Sequence, residues 1–277
     1  PPVDFPINKI ITIEKGTLFK KVAIDFEEQH LIRSAFWFDS YGWLLRSREQ
    51  VKAGEYFFER PLSATKLFRE ITQNGGKNNF VRVTIPEGAT VDEINLIFKG
   101  FGFENFGIDK SLEGYLFPDT YFVPLDISAE QMIKVMRETF DKKVAPEMKE
   151  KDIVIMASLL EKEAGKKEDM ETISSILWKR IDVGMPLQVD AVFPYIMGKH
   201  SLQLTTEDLK IDSPYNTYLH KGLPPGPICN PGLDSLGAAL SSTETDYWYY
   251  LSDKNGIVYY SKTYEEHLSK RKKYLGK

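Results

Sequence analysis

The chain holds one cysteine, Cys229, so no internal disulfide can form. A reducing cytosol and many exported proteins share that economy, so it decides little about compartment. No apolar run reaches the roughly 18 residues that a membrane-spanning helix needs. Histidine is scarce. His30, His200, His220 and His267 lie far apart with no metal-ligand spacing, so no metal or other cofactor is expected. There is no Gly-x-Ser-x-Gly turn, no Gly-rich phosphate loop and no Cys-x-x-Cys pair. Excess positive charge is also missing. The 36 Lys and Arg stand against 40 Asp and Glu, a formal charge of −4, which is a poor match for nucleic acid. The chain opens Pro1-Pro2-Val3, without an initiator Met or a signal peptide, as expected of a trimmed or processed fragment.

What is present is enough for a real core. The 277 residues are 42% hydrophobic and 13% aromatic, sufficient for one large domain or two smaller ones. The first strand signal is the β-rich run 9–13, followed by a turn at Glu14-Lys15-Gly16, with Thr17 placed to cap a helix over 18–29. The pattern returns about 72 residues later, at 83–85, Pro86-Glu87-Gly88, Thr90 and a helical stretch 91–99. This short echo suggests two similar strand–helix units. Between them lie a helix around 34–45, an extended segment 51–58 and a helix 64–73 stopped by Asn74-Gly75-Gly76, with a strand restarting at 78–81. From about residue 106 the character becomes helical, with helices expected over 128–142, 146–164, 170–182, 206–209 and 233–240. Pro146 suits a first helical turn. Residues 247–252 and 257–261 flank an Asn-Gly turn as a β-hairpin, and Thr263 caps a basic final helix. The fold class is therefore α+β. It divides into a small α+β region over 1–105 and a mainly helical region over 106–277 that ends in a β-hairpin.

Within the helix over 146–164, an apolar stripe runs Met156, Leu159 and Leu160, and Glu163 falls within roughly 60° of all three. Glu161 points to the side of Val154, Ala157 and Ser158. A carboxyl held against apolar surface resists ionisation, which a general acid requires near neutrality. The plain alternative is that Glu163 emerges into solvent or pairs with Lys162 or Lys166.

Three loops are denser in special residues than a connector needs. Residues 112–121 combine Glu113, Gly114, Pro118 and Asp119 with three aromatics, either as a groove wall for sugar rings or as a packed turn. Gln188 and Asp190, two apart, share one side if the chain there is extended. Pro214-Tyr215-Asn216-Thr217-Tyr218 and the Pro- and Gly-rich 222–232 form a rigid loop that suits either a ligand platform or a structural turn. Cys229 sits in that loop with no histidine partner implied, so the acids are the best remaining reagents.

Taken together, five blocks in order resemble the membrane-anchored endolytic murein transglycosylases (MltG or YceG-like). They are 112–121, 157–164, 187–190, 214–218 and 222–228, and the resemblance covers nearly the whole chain. It implies that 1–105 is a LysM-like module and 106–277 a catalytic transglycosylase domain. It also implies an N-terminal membrane anchor outside this sequence, an extracytoplasmic location, peptidoglycan glycan strands as substrate and cell-wall synthesis proteins as partners. The reaction implied cleaves MurNAc–GlcNAc bonds in nascent strands, gives 1,6-anhydro-MurNAc ends and limits strand length. The catalytic acid of the family maps to the Glu161-Lys162-Glu163 block, to Glu163 first and Glu161 as fallback. Gln188, Asp190, Tyr215, Asn216, Thr217 and Tyr218 are the expected substrate contacts, with Glu113 and Asp119 as further candidates or as loop supports. Two other readings remain open. One is a muramidase using Asp119 or Asp190 as second carboxylate. The other is a non-catalytic peptidoglycan-binding scaffold.

Overall fold

The computed structural model describes residues 1–276 apart from 8, 46–50, 59, 75–79, 104–105, 125–126, 200–203, 242–243 and 254. The expected helix stop at Asn74-Gly75-Gly76 and the strand restart at 78–81 lie largely outside the described residues. The fold is α+β, and the chain forms two compact units. One comprises residues 1–82 and 122–127; the other comprises 83–121 and 128–277.

The first unit runs β1 (Ile10–Ile13), α1 (Phe19–Glu28), α2 (Ala35–Leu44), β2 (Gly54–Phe57) and α3 (Ala64–Arg69). β1 and β2 pair antiparallel, with Ile10 opposite Phe57 and Ile13 opposite Gly54. Alternation along β1 sends Ile11 and Ile13 into a core with Phe19, Val22, Phe26, Phe38, Leu67 and Phe68. Ser34 and Ser63 cap α2 and α3 through their hydroxyls. Thr17 does not cap α1. Its N–H closes the preceding turn on the Glu14 carbonyl at 3.2 Å, and the helix begins two residues later, after Leu18.

Two strands, β3 (Phe80–Thr84) and β4 (Thr120–Pro124), pair with each other and carry the chain between the units. The second unit then contains α4 (Val91–Gly100), α5 (Ala129–Lys143), α6 (Lys151–Glu163), α7 (Lys167–Asp182), α8 (Val192–Met197) and α9 (Leu233–Leu240). It closes with a hairpin, β5 (Tyr249–Ser252) and β6 (Val258–Ser261), and α10 (Tyr264–Leu275). Thr90 with Glu93 and Ser128 with Gln131 form capping boxes that start α4 and α5. The single helix expected over 146–164 is a 3₁₀ turn, Pro146–Lys149, then α6, because Glu150 is extended (ψ 138°). The helix expected over 206–209 is one 3₁₀ turn, Asp208–Lys210, and α8 has no counterpart among the sequence expectations.

The boundary read from sequence at 105/106 falls inside the second unit. The Gly88-Ala89 stretch before α4 is held there by the 230 loop. Gly88 N–H donates to the Asn230 carbonyl at 2.9 Å, and Asn230 N–H donates to the Ala89 carbonyl at 3.0 Å. α6 is the centre of this unit and packs against α7 and α9. Every residue from Val154 to Leu160 is buried, so the helix is apolar nearly all round. Helical phase therefore separates Glu161 from Glu163 less sharply than one stripe would. Their partners separate them.

Candidate active site

Glu163 is the last residue of α6, and Ala164 turns the chain extended (φ −141°, ψ 143°). The carboxylate is half-buried and accepts a hydrogen bond from Ala191 N–H at 3.3 Å and another from the Tyr250 hydroxyl. Burial drives its pKa up, and the Asp190 carboxylate adds to that. The bonds from Tyr250 and Ala191 oppose the rise, and the balance is a value of about 7. No Lys162 or Lys166 ion pair holds it among the described residues. A carboxyl of this kind can give up a proton and take one back at neutral pH.

Asp190 reaches this place on a short loop that leaves α7. The Tyr218 hydroxyl donates to Asp190 Oδ1 at 2.5 Å. The 213–218 loop holds the same segment by its backbone. Gln188 N–H donates to the Thr217 carbonyl at 3.1 Å, and Val189 N–H donates to Thr217 Oγ1 at 3.0 Å. Gln188 itself has a left-handed backbone (φ 54°) and an exposed side chain. The extended geometry that would put Gln188 and Asp190 on one side is therefore not the geometry here.

Asn216 is buried, and its amide is used on the backbone. Nδ2 donates to the carbonyls of Leu209 (3.0 Å) and Ile211 (2.9 Å), and Oδ1 accepts from Tyr218 N–H (3.0 Å). Asn216 and Thr217 thus shape the loop that presents Tyr218. Tyr215 stacks at a tilt on Tyr195, with ring centroids 5.1 Å apart, and the two hydroxyl groups are hydrogen-bonded.

The other acids serve elsewhere. Glu161 Oε2 accepts from Gly232 N–H at 2.9 Å and from the Ser235 hydroxyl at 2.7 Å, so it caps the start of α9. Glu113 is buried and accepts from Val91 N–H at 3.1 Å and Asn230 Nδ2 at 3.0 Å, which closes the first turn of α4. Burial nonetheless raises its pKa to about 7. Asp119 pairs with Lys143 at 2.7 Å and accepts from Thr120 N–H at 2.8 Å. Gly114, beside Glu113, has φ 87°, and a Cβ there would come within 2.5 Å of Pro227. The 112–121 block is glycine at that point because the Pro-rich loop lies directly on it.

Two residues at the site carried no obvious mark in the sequence. Tyr250 comes from the hairpin and is hydrogen-bonded to Glu163. Arg180 is buried in α7; Nη1 donates to the Leu187 carbonyl at 2.5 Å, and Nε and Nη2 donate to the Trp248 carbonyl at 3.0 and 2.7 Å. It ties the Asp190 loop to the hairpin that bears Tyr250. The signal for Arg180 was its helical phase with the buried Ile173, Ile176 and Leu177.

Cys229 is buried and donates to the Ser158 carbonyl at 3.3 Å, and burial pushes its thiol pKa well up. It is not poised as a nucleophile. No group of His, Cys, Asp and Glu suited to a metal occurs among the described residues; His200 lies outside them.

Comparisons with known proteins bear on nearly the whole chain. The YceG-like family matches residues 11–273. The endolytic murein transglycosylase of Bacillus subtilis (strain 168) is 32% identical, over 96% of this chain and 84% of that protein. The endolytic murein transglycosylase of Streptococcus pneumoniae serotype 2 (strain D39) is 28% identical over 96% of this chain; the match spans 58% of that longer protein. The crystal structure of a YceG-like protein from Listeria monocytogenes is similar with a TM-score of 0.60 and 30% identity, over 95% of this chain and 99% of that one.

Proposed function

Because this chain belongs to the YceG-like family, we propose that it is an endolytic murein transglycosylase, a lyase that cuts peptidoglycan glycan strands. The observation that supports this most directly is Glu163, half-buried at the end of α6, ionising near pH 7 beside Asp190. The bond cleaved is MurNAc–GlcNAc. Glu163 gives its proton to the glycosidic oxygen as the C1–O bond breaks with oxocarbenium character. The carboxylate left behind takes the proton of the MurNAc C6 hydroxyl as that oxygen closes on C1. Glu163 ends protonated, the product is a 1,6-anhydro ring, and no water is consumed. One carboxyl therefore does work that hydrolysis usually divides between two.

In this reading Asp190 has two uses. Its charge keeps Glu163 protonated before reaction, and it faces the positive charge that develops at C1. Tyr218 and Tyr250 orient Asp190 and Glu163, and Arg180 holds the loop and the hairpin in register. General acid catalysis supplies about 10²–10⁴-fold, and positioning and electrostatics must supply the remainder. Gln188 and Tyr215 are proposed as sugar contacts, and Glu161, Glu113 and Asp119 as supports.

The order β1–α1–α2–β2, with the two strands paired, supports a LysM-like reading of the first unit. Action at the outer face of a bacterial membrane, on nascent strands and beside cell-wall synthesis proteins, completes the proposal.

The test is product mass. Digestion of uncrosslinked glycan strands should yield ends one water lighter than reducing ends, and Glu163→Gln should abolish them. Reducing ends in their place would identify a hydrolase using Asp190 as base. Unimpaired turnover by the variant would refute the assignment of Glu163.

A further inference from the structure

On the first unit, α2 is apolar on both sides. Phe38 and Gly42 face inward; Phe38 stacks on Phe19 with ring centroids 5.4 Å apart, and a Cβ at Gly42 would overlap the Phe19 ring. At about 100° per residue, Phe36, Trp37, Ser40, Trp43 and Leu44 fall together on an arc of about 120° on the opposite side. Phe36 is 71% exposed, Trp37 72%, Trp43 68% and Leu44 71%. Exposed apolar residues scattered singly are ordinary, but two tryptophans, a phenylalanine and a leucine on one helix face form a patch that calls for an occupant.

We propose that this face lies on an anionic lipid bilayer, with α2 parallel to the surface and Trp37 and Trp43 at headgroup depth. Three observations favour lipid. The first is composition. Indole and phenyl rings on one side of a helix are what interfacial segments present, and Ser40 is the one polar side chain in the arc. A sugar platform needs hydrogen-bonding side chains around its aromatic rings, and this arc has almost none.

The second is charge. Residues 1–82 carry 13 Lys and Arg against 10 Asp and Glu, whereas residues 83–277 carry 23 against 30. The positive balance belongs to the part of the chain that bears the patch. Arg33 precedes the helix, and Arg46 and Arg48 follow it in sequence. Basic residues close in sequence to an apolar helix suit an anionic leaflet. The third is continuity. Pro1 and Pro2 line an apolar hollow of about 330 Å³ together with Ile32, Trp37 and Tyr41, and Arg33 donates to the Pro1 carbonyl at 3.2 Å. The apolar surface therefore continues from α2 onto the first residues of the chain.

The proposal does not depend on the transglycosylase reading, since it concerns different residues. The experiment is sedimentation of the full chain with vesicles of phosphatidylcholine, alone or with about 30% phosphatidylglycerol, with tryptophan emission recorded in parallel. Expected are binding to the anionic vesicles, weakening with salt, and a blue shift. The double variant Trp37→Glu/Trp43→Glu should bind at least about tenfold more weakly and show no shift, although it keeps Trp178 and Trp248. Its circular dichroism melt and its cutting of soluble strands should match those of the parent. Absence of vesicle binding above protein-only pelleting, or equal binding by the double variant, overturns the proposal. So does an emission shift produced by glycan strands or by raised protein concentration when vesicles produce none.

Discussion

Glu161 and Glu163 stand two positions apart on α6 and meet opposite surroundings. Glu161 is taken up by the N–H of Gly232 and the hydroxyl of Ser235, whereas Glu163 faces Asp190 and Tyr250. The two should therefore fail differently. Glu163→Gln removes the proton donor and should lower kcat by about 10²-fold or more with little change in Tm. Glu161→Ala strips the start of α9 of its acceptor and should cost about 1–2 kcal/mol of stability, with kcat changed only a few-fold. Denaturant titration beside product release from glycan strands checks both; the reverse pattern would exchange the assignments.

Asp190→Asn should move the pH–rate profile. Rate falls on the alkaline side as Glu163 loses its proton, near pH 7 in the parent. Removing the neighbouring negative charge makes ionisation of Glu163 easier, so its pKa drops and the alkaline limb moves to lower pH. Profiles of kcat/KM for the two proteins show it, and an unmoved limb would separate Asp190 from the acid.

Tyr250→Phe should move the same limb the other way. The Tyr250 hydroxyl donates to the carboxylate and favours its charged form, so its loss leaves burial and Asp190 less opposed. The pKa of Glu163 rises and the alkaline limb shifts to higher pH. The opposite signs expected for Asp190→Asn and Tyr250→Phe distinguish electrostatic tuning from general loosening, which would move both alike.

Much of this arrangement could be read from residue order, and the part that could not is long-range. The caps at Thr90 and Thr263, the hairpin around Asn255-Gly256 and the helix bearing Glu163 follow from local preferences and periodicity. Tyr250 lies 87 positions beyond Glu163, and nothing near either residue announces that they meet. A polar loop residue such as Asn216 reads as a ligand contact in sequence; its amide donates to the Leu209 and Ile211 carbonyls, a bond pattern set by tertiary folding. An extended chain would set Gln188 on the same side as Asp190, and the φ of 54° at Gln188, which neighbouring residue types do not announce, breaks that geometry.

Glu113 should make stability depend on pH. Its pKa is about 7 in the folded protein, above its ordinary 4.5. The folded state therefore holds a proton that the unfolded state releases. That contribution is full below pH 4.5 and is lost as pH rises to about 7, up to about 3 kcal/mol for a shift of this size. Glu113→Gln cannot ionise, so its Tm between pH 5 and 8 should fall less steeply than that of the parent, with catalysis on soluble strands little changed. Parallel Tm–pH curves for the two proteins would show that this carboxyl is not the source.

Arg180→Lys should cost more than a conservative exchange suggests. The guanidinium reaches the Leu187 carbonyl on one side and the Trp248 carbonyl on the other, with three donors used. An ammonium is a single point and cannot span both, so one buried carbonyl loses its partner and a charge is left poorly paired. A loss of about 2–4 kcal/mol is expected. The larger consequence concerns geometry. Leu187 leads into Asp190, and Trp248 leads into Tyr250, so the residue joins the two segments that set the state of Glu163. Assayed well below its own Tm, the variant should still turn over slowly, with kcat reduced more than KM is raised. A folded Arg180→Lys protein with parental kcat would show that the loop and the hairpin keep their register without this bridge.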